Sequence, residues 1–341
     1  MKKIKIADII LLILAAASLV GCILEFQRRS RLLYYFIPLV FFIFFLLERR
    51  ISKTEKRKII KMAALFAGVI LAIYFSVVFY LQSTPIAYVR DAQSEVYLEK
   101  IESVEQLSIP SMNGHTDGWL YKQSDEKAPL IIFFNGAGEC SAAIVRKFHE
   151  NGILSEYFPG YNFMSTDYPS YGISDGYVSE AAMKELAIDT YDTAIQWDFV
   201  DKSNIIVMGY SIGTGPASYL AAHRNLTSLV LLAPYDDFWD NRVRNIEMLG
   251  KRKGYGKTFE CLFYGLFWGY NIDPVRYAGD IEEPVLILSS MDDTTIVHEA
   301  SLRVAERIDN CEVATLTGIK HEDMLCDTSY ETINKFLYQN Q

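Results

Sequence analysis

The 341-residue sequence predicts an α/β fold with a mostly parallel sheet, preceded by three transmembrane helices. Between residues 104 and 341, short apolar segments alternate with amphipathic or small-residue segments. This alternation is typical of parallel strands joined by helices that cover both faces of a sheet. Residues 1–87 instead contain three long apolar stretches, which indicates a membrane anchor.

The three apolar stretches are residues 9–26, 32–47 and 62–81. A spanning helix needs about 20 apolar residues, and at least about 17. The first and third stretches meet this requirement, and the shorter second one spans if Arg31 and Arg49 extend their charged ends to the interfaces. None of the three has a polar face, which argues against buried helices of a water-soluble domain.

Lysine and arginine predict the orientation of this anchor. Residues 1–5 hold three of them and the second loop, residues 49–61, holds seven, whereas only Arg90 closely follows the third stretch. The positive-inside rule places both basic segments in the cytoplasm, against a smaller basic contribution from the first loop, residues 27–31. We therefore expect a multi-pass protein of the cell membrane with an extracytoplasmic C-terminal domain.

An alternative for the N-terminus comes from residues 19–22, Leu-Val-Gly-Cys, which resemble a bacterial lipobox. In that case Cys22 would carry a lipid after cleavage of the residues before it. Both interpretations leave the C-terminal domain on the same side of the membrane.

Charge separates the two parts of the chain. Residues 1–87 hold 13 Lys/Arg and 4 Asp/Glu, a net charge of +9, and residues 88–341 carry −18. An acidic domain argues against a nucleic-acid partner. The predicted organisation is an anchor at 1–87, a connector at 88–103 and one α/β domain at 104–341, which is long enough for a full core.

Strands and helices of the domain are predicted from apolar runs and from apolar periodicity, respectively. The strands are expected at 104–109, 118–122, 129–134, 161–166, 205–208, 228–232, 285–289 and 312–316. The helices are expected at 141–151, 179–199, 216–222, 297–308 and 330–338.

Residues 209–213, Gly-Tyr-Ser-Ile-Gly, lie between a predicted strand and a predicted helix. The pattern G-x-S-x-G in that context is typical of a nucleophile elbow. The turn is so sharp that the residues two positions before and after the serine have almost no room for a side chain, which glycine satisfies. We therefore predict that Ser211 is a nucleophile, and a serine hydroxyl needs a base that takes its proton.

His321 is the predicted base because it follows the last strand, and loops at the carboxyl ends of strands meet at one edge of the sheet. The acid that orients it should follow the preceding strand, where Asp292 and Asp293 stand. We prefer Asp293 and keep Asp292 as the alternative acid, although aspartate is also common in turns that have no catalytic role. Asp236 and Asp237, one strand earlier, are a further alternative. The order Ser, Asp, His fits a catalytic triad.

The tetrahedral intermediate of acyl transfer needs two N–H donors for its oxyanion. We predict the backbone amide of Ile212, next to the nucleophile, and that of Ala137, in the glycine-rich loop 134–138. This chemistry requires no metal and no organic cofactor. The five cysteines are scattered without C-x-x-C spacing, so no zinc site is indicated.

Together these motifs resemble the α/β-hydrolase superfamily, in the branch of membrane-anchored serine esterases and monoacylglycerol-lipase-like or serine-aminopeptidase-like proteins. The resemblance covers residues 104–341 and rests on the loops 134–138 and 167–176, the elbow 209–213 and the segment 318–321. In one departure, Asn135 stands where the family usually has histidine before the glycine. Because the donor in that loop is a backbone amide, the resemblance still implies an oxyanion site.

The resemblance also implies a lid in the insert at about residues 238–277. Phe259, Phe263 and Phe267 recur there at helical spacing, beside six Lys/Arg residues between positions 242 and 257. We expect these aromatic side chains to form an acyl pocket that faces the membrane. The alternative is a helix packed on the core beside a solvated, charged loop.

The resemblance thus implies a membrane-anchored serine hydrolase that cleaves ester bonds of lipids or small amphiphiles. Two alternatives stay open. A peptidase or amidase of the serine-aminopeptidase type would use the same residues on amide bonds. A non-catalytic binding or sensing protein could retain the fold, but the intact Ser, Asp and His set argues against it.

Overall fold

The computed structural model describes residues 89–111, 114–124, 126–176, 178, 180–238, 241 and 272–340. The chain divides into two units, Met1–Pro85 and Ile86–Gln341, and the described residues all belong to the second. Among them, no helix combines the length and the apolar character that crossing a membrane requires. The three predicted transmembrane segments lie outside the described residues and stay a prediction.

The sheet of the described domain has eight strands in the order β1-β2-β4-β3-β5-β6-β7-β8. β2 runs antiparallel to both β1 and β4, and the other neighbouring strands are parallel. The predicted fold class, an α/β fold with a mostly parallel sheet, is therefore confirmed. The strands are β1 (Val104–Ser111), β2 (Gly114–Tyr121), β3 (Ala128–Phe134), β4 (Asn162–Thr166), β5 (Val200–Tyr210), β6 (Ser228–Leu232), β7 (Val285–Ser290) and β8 (Cys311–Leu316).

Helices connect these strands and cover the sheet. Those in the described residues are α1 (Ala92–Leu98), α2 (Ser141–Glu150), α3 (Ile153–Tyr157), α4 (Glu180–Ala194), α5 (Thr214–Ala221), α6 (Pro274–Tyr277), α7 (His298–Ala305) and α8 (Asp327–Gln339). α1 lies in the segment predicted as a connector, and α3 was not predicted. The prediction of one helix at 179–199 was wrong at its C-terminal end, because α4 ends at Ala194 and β5 begins at Val200.

The core lies on both faces of the sheet because successive side chains of a strand point to opposite sides. In β3, Leu130 and Ile132 belong to one buried cluster and Ile131 and Phe133 to the other. All four are at most 1% exposed. Because both faces of the central strands are buried, their sequences are continuous apolar runs rather than alternating patterns. The parallel strands bring the loops that follow β3, β5, β7 and β8 to the same edge, where the candidate site lies.

Candidate active site

The turn between β5 and α5 holds Ser211 in a backbone conformation that few side chains adopt. Its φ angle is 53°, and it directly follows the last residue of β5. A Cβ atom on Gly209 would lie 2.6 Å from the carbonyl oxygen of Gly213, and one on Gly213 would lie 2.1 Å from that of Phe134. Both contacts are with backbone, so glycine is required on both sides of the serine, as the elbow pattern implies.

Ser211, His321 and Asp293 form a continuous chain of hydrogen-bonding atoms. The Oγ of Ser211 lies 2.9 Å from Nε2 of His321, and Nδ1 of His321 lies 2.7 Å from Oδ2 of Asp293. A carboxylate only accepts, so Nδ1 of the neutral ring carries the hydrogen and Nε2 is free to accept the serine proton. The arrangement has the geometry needed to activate a nucleophile.

Backbone amides fix the carboxylate of Asp293. Its Oδ1 accepts hydrogen bonds from the N–H groups of Thr295 (2.7 Å) and Ile296 (2.8 Å), while Oδ2 faces His321. The side chain is almost fully buried, and both of its oxygens are satisfied. Its position relative to the imidazole is therefore determined by the turn that follows β7.

The alternative acids have other partners. Oδ2 of Asp292 accepts a hydrogen bond from the amide of Gly318 at 2.6 Å, and the residue is exposed. Asp236 forms an ion pair with Arg303. Of these carboxylates, the structure brings that of Asp293 against His321.

The glycine-rich loop after β3 lies directly beside the elbow, because Phe134 of β3 pairs with Gly209 of β5. This register brings Ala137 and Ile212, the two predicted oxyanion donors, to the ends of neighbouring strands. Ala137 is exposed and Ile212 is buried. The hydroxyl of Tyr168 donates to the carbonyl of Asn135, which ties the start of the loop to the chain that follows β4.

Asn135, which stands where the resemblance leads us to expect histidine, bonds to a neighbouring strand. Its side chain is fully buried, and its Oδ1 accepts a hydrogen bond from the Ser165 hydroxyl of β4 at 2.7 Å. The residue therefore joins two strands beneath the loop, while the following residues form the loop surface.

No protein-family model matches the chain. The lysophosphatidylserine lipase ABHD12 of Danio rerio is 25% identical over 241 residues, which cover 65% of this chain and 58% of that protein. The human alpha/beta hydrolase domain-containing protein 17C is 27% identical over 179 residues, which cover 52% of this chain and 49% of that protein. The matches thus span about half of these relatives' own length.

A solved structure of the same architecture is the esterase Pf2001 of Pyrococcus furiosus. It superposes with a TM-score of 0.60 at 19% identity and covers 74% of this chain and 97% of the esterase chain. The chain is similar to these α/β-hydrolase proteins over about half to two thirds of its own length. This likeness to a solved structure concerns the fold, and it agrees with the strand order described above.

Some contacts of this candidate site could not be deduced from its sequence motifs. The two amides on Asp293 follow it in the chain, but their direction depends on a turn that the sequence does not specify. Tyr210 occupies the variable second position of the elbow motif, and its ring lies against that of His321 with centroids 5.4 Å apart. The sequence feature that could have indicated this contact is a large residue with a hydroxyl group at the end of a buried strand.

The predicted lid, at about residues 238–277, falls outside the described residues at its centre. Phe259, Phe263 and Phe267 lie there, so the acyl pocket stays a prediction. The end of the insert is described and includes α6 with Asp273, whose pKa is raised to about 6 by burial. Asp273 accepts a hydrogen bond from the amide of Phe238, which joins the two ends of the insert, and another from the nearby Arg276.

Proposed function

We propose that this chain is a membrane-anchored serine hydrolase that cleaves esters of lipids or small amphiphiles. The observation that carries the proposal is the pair of contacts from Ser211 Oγ to His321 Nε2 (2.9 Å) and from His321 Nδ1 to Asp293 Oδ2 (2.7 Å). These contacts support the roles that we assign, with Ser211 as nucleophile, His321 as base and Asp293 as orienting acid.

In the first half-reaction, Ser211 Oγ attacks the ester carbonyl carbon while His321 Nε2 takes the hydroxyl proton. The tetrahedral intermediate collapses when His321 returns that proton to the leaving alcohol, and an acyl-enzyme remains. Water then attacks the acyl carbon while His321 takes its proton. Collapse of this second intermediate releases the carboxylic acid, and the proton returns to Ser211. Asp293 holds the imidazole and stabilises its positive charge during both halves.

Two backbone amides would stabilise the oxyanion in both steps. Ile212 follows the nucleophile in the elbow, and Ala137 lies in the loop after the neighbouring strand β3. Donors fixed in the backbone need no reorganisation when the negative charge develops, and one such donor is worth about 10²–10³ in kcat.

Two features support a lipid or amphiphile as substrate. A relative with 25% identity is named a lysophosphatidylserine lipase, and its substrate is an ester with one acyl chain and an anionic headgroup. The predicted lid, which lies outside the described residues, carries six Lys/Arg residues between positions 242 and 257, and such a basic cluster favours an anionic headgroup. The proposed location of the domain is the extracytoplasmic side of the cell membrane.

The test is labelling of the detergent-solubilised full chain with an alkyl fluorophosphonate, together with hydrolysis of p-nitrophenyl butyrate. Ser211→Ala should abolish labelling, and Ser211→Ala and His321→Ala should each lower turnover by about 10³-fold or more. Ser218→Ala is the matched control, since this serine lies on α5 and is fully buried.

The outcomes separate the candidate functions. A folded wild-type chain that is neither labelled nor active would favour the non-catalytic alternative. Hydrolysis of p-nitrobutyranilide at a higher rate than the matching ester would favour an amidase. Wild-type turnover in Ser211→Ala would show that another group is the nucleophile.

A further inference from the structure

We propose that Tyr210 is a positioning residue that holds His321 in register with both the nucleophile and the oxyanion loop, an inference that rests on the proposed function. Tyr210 is the last residue of β5 and immediately precedes Ser211. It contacts the base through its hydroxyl and its ring at the same time.

The hydroxyl contact fixes the backbone of the base. Tyr210 donates a hydrogen bond to the carbonyl oxygen of His321 at 2.6 Å. Burial raises the pKa of Tyr210 well above its ordinary value of about 10, so the hydroxyl remains a donor throughout the pH range in which a hydrolase works. The bond links the strand that carries the nucleophile to the residue that must accept its proton.

The ring contact fixes the plane of the imidazole. The rings of Tyr210 and His321 are stacked, with centroids 5.4 Å apart and an angle of 30° between planes. In the acyl-enzyme, Ser211 Oγ is bonded to the acyl group and no longer donates to the imidazole. Asp293 and the face of Tyr210 are then the contacts that keep Nε2 directed at the incoming water.

The same ring also touches the loop that would hold the oxyanion. A Cβ atom on Gly136 would lie 2.7 Å from two ring carbons of Tyr210, so the ring packs directly on the backbone of that glycine. Tyr210 therefore lies between Gly136 and His321. A single rigid side chain sets the distance between the oxyanion loop and the base, and a misplacement of about 1 Å is enough to cost about 10²-fold in rate.

Other contacts hold the opposite end of the histidine loop. Ser290 donates its hydroxyl to the carbonyl of Ile319, and Asp292 accepts from the amide of Gly318, where φ is 73°. These contacts come from β7 and the turn after it, on the side of the acid. Tyr210 supplies the matching contact from β5, on the side of the nucleophile.

The experiment compares Tyr210→Phe with Tyr191→Phe in the detergent-solubilised full chain, using p-nitrophenyl butyrate and fluorophosphonate labelling. Tyr191 is the matched control because its hydroxyl also donates to a main-chain carbonyl, that of Asn225 at 2.7 Å, from helix α4. Tyr210→Phe should lower kcat by about 10-fold, with KM changed by less than about twofold, and should slow labelling by a similar factor. Tyr210→Leu, which also removes the ring, should lower kcat by about 10²-fold.

Each result decides the matter. If Tyr210→Phe keeps wild-type kcat and labelling rate in an active enzyme, the positioning role is wrong while the proposed function stands. If Tyr191→Phe lowers kcat by the same factor as Tyr210→Phe, the loss at position 210 is a general effect of removing a tyrosine hydroxyl from the fold, and the positioning role is also wrong. If the wild-type chain is neither labelled nor active, the proposed function fails, and the positioning role fails with it.

Discussion

Two adjacent aspartates at the end of β7 have different partners, and hydrogen bonding explains the difference. Asp293 is buried, and its two oxygens receive the amides of Thr295 and Ile296 and the imidazole of His321. Asp292 is exposed, and it accepts from the amide of Gly318 at the start of the histidine loop. Asp293 thus contacts the ring of His321, and Asp292 contacts the backbone of the loop that carries His321.

Asparagine substitutions at the two aspartates should therefore differ strongly. Asp293→Asn presents either an amide N–H or a weaker acceptor to Nδ1 of His321 and disfavours the reactive tautomer, so kcat should fall by about 10⁴-fold. Asp292→Asn retains an oxygen for the amide of Gly318, so kcat should fall by less than about 10-fold. Steady-state hydrolysis of p-nitrophenyl butyrate measures both, and a larger loss at Asp292 would overturn the assignment of the acid.

For individual residues of the candidate site, the sequence predicts which side chains come together, but it does not predict the hydrogen bonds that hold them in place. The glycines, Ser211 and His321 could be identified because the elbow and the chain order are local patterns. The preference for Asp293 over Asp292 depended only on the spacing between Asp293 and the residues that follow it. The sequence therefore left both aspartates open as the acid. The role of Tyr210 depends on the distance between β5 and the histidine loop, which no local pattern encodes.

Among the connecting elements, the loop after β4 places the buried Asp167 next to the start of α2, which follows the glycine-rich loop 134–138. Asp167 is 3% exposed, and its Oδ1 accepts a hydrogen bond from the amide of Ser141 at the start of α2. Burial raises its pKa to about 6 despite that hydrogen bond. In the same loop after β4, the hydroxyl oxygen of Tyr171 lies 3.5 Å from the amide nitrogen of Gly138. The loop after β4 therefore also contacts the glycine-rich loop after β3.

The stability of Asp167→Asn relative to wild type should depend on pH. The folded pKa of about 6 lies above the unfolded value of about 3.9, so the folded state binds the proton more tightly and wild type loses stability as the pH rises from about 4 to 6. Asparagine has no charge to bury, so the variant should gain up to about 3 kcal/mol relative to wild type over that range.

Thermal melting of both proteins at pH 4.5 and pH 7 checks this sign. The variant should gain roughly 5–10 °C more over wild type at the higher pH. Asp192→Asn is the control, because an ion pair with Arg224 lowers the pKa of Asp192 and keeps it ionised at both pH values. A gain for Asp167→Asn that is equal at both pH values, or larger at pH 4.5, would contradict the prediction.

Element boundaries show where sequence patterns are weakest. β3, β6 and β7 could be predicted closely because they are buried on both faces and form continuous apolar runs. α1 was missed because its stability comes from the Asp91 cap and from tertiary packing rather than from its own periodicity. The end of α4 was missed because Trp197 and Phe199 continue an apolar pattern while their rings stack in a turn.

For the molecule as a whole, the proposed arrangement joins an acidic catalytic domain to a basic anchor. The three Lys of residues 1–5 and the seven Lys/Arg of the second loop predict that both segments face the cytoplasm. Burying any of the seven Lys/Arg residues of the second loop in the bilayer would cost several kcal/mol. Because the second loop is then fixed in the cytoplasm, the presence of a third span determines on which side of the membrane residues 88–341 are expected to lie.

Reporter fusions at the C-terminus test this topology. Tyr338, near the end of α8, is 79% exposed, so a protein fused after Gln341 should leave the domain folded. With three spans and a cytoplasmic N-terminus, an alkaline phosphatase fusion there should be active and a reporter that functions only in the cytoplasm should be silent. Truncated fusions after Glu55, in the second loop, should give the opposite pair of signals and serve as the internal control. If both fusion sites report the cytoplasm, the chain does not cross the membrane a third time, and a substrate from the outer leaflet could not reach Ser211.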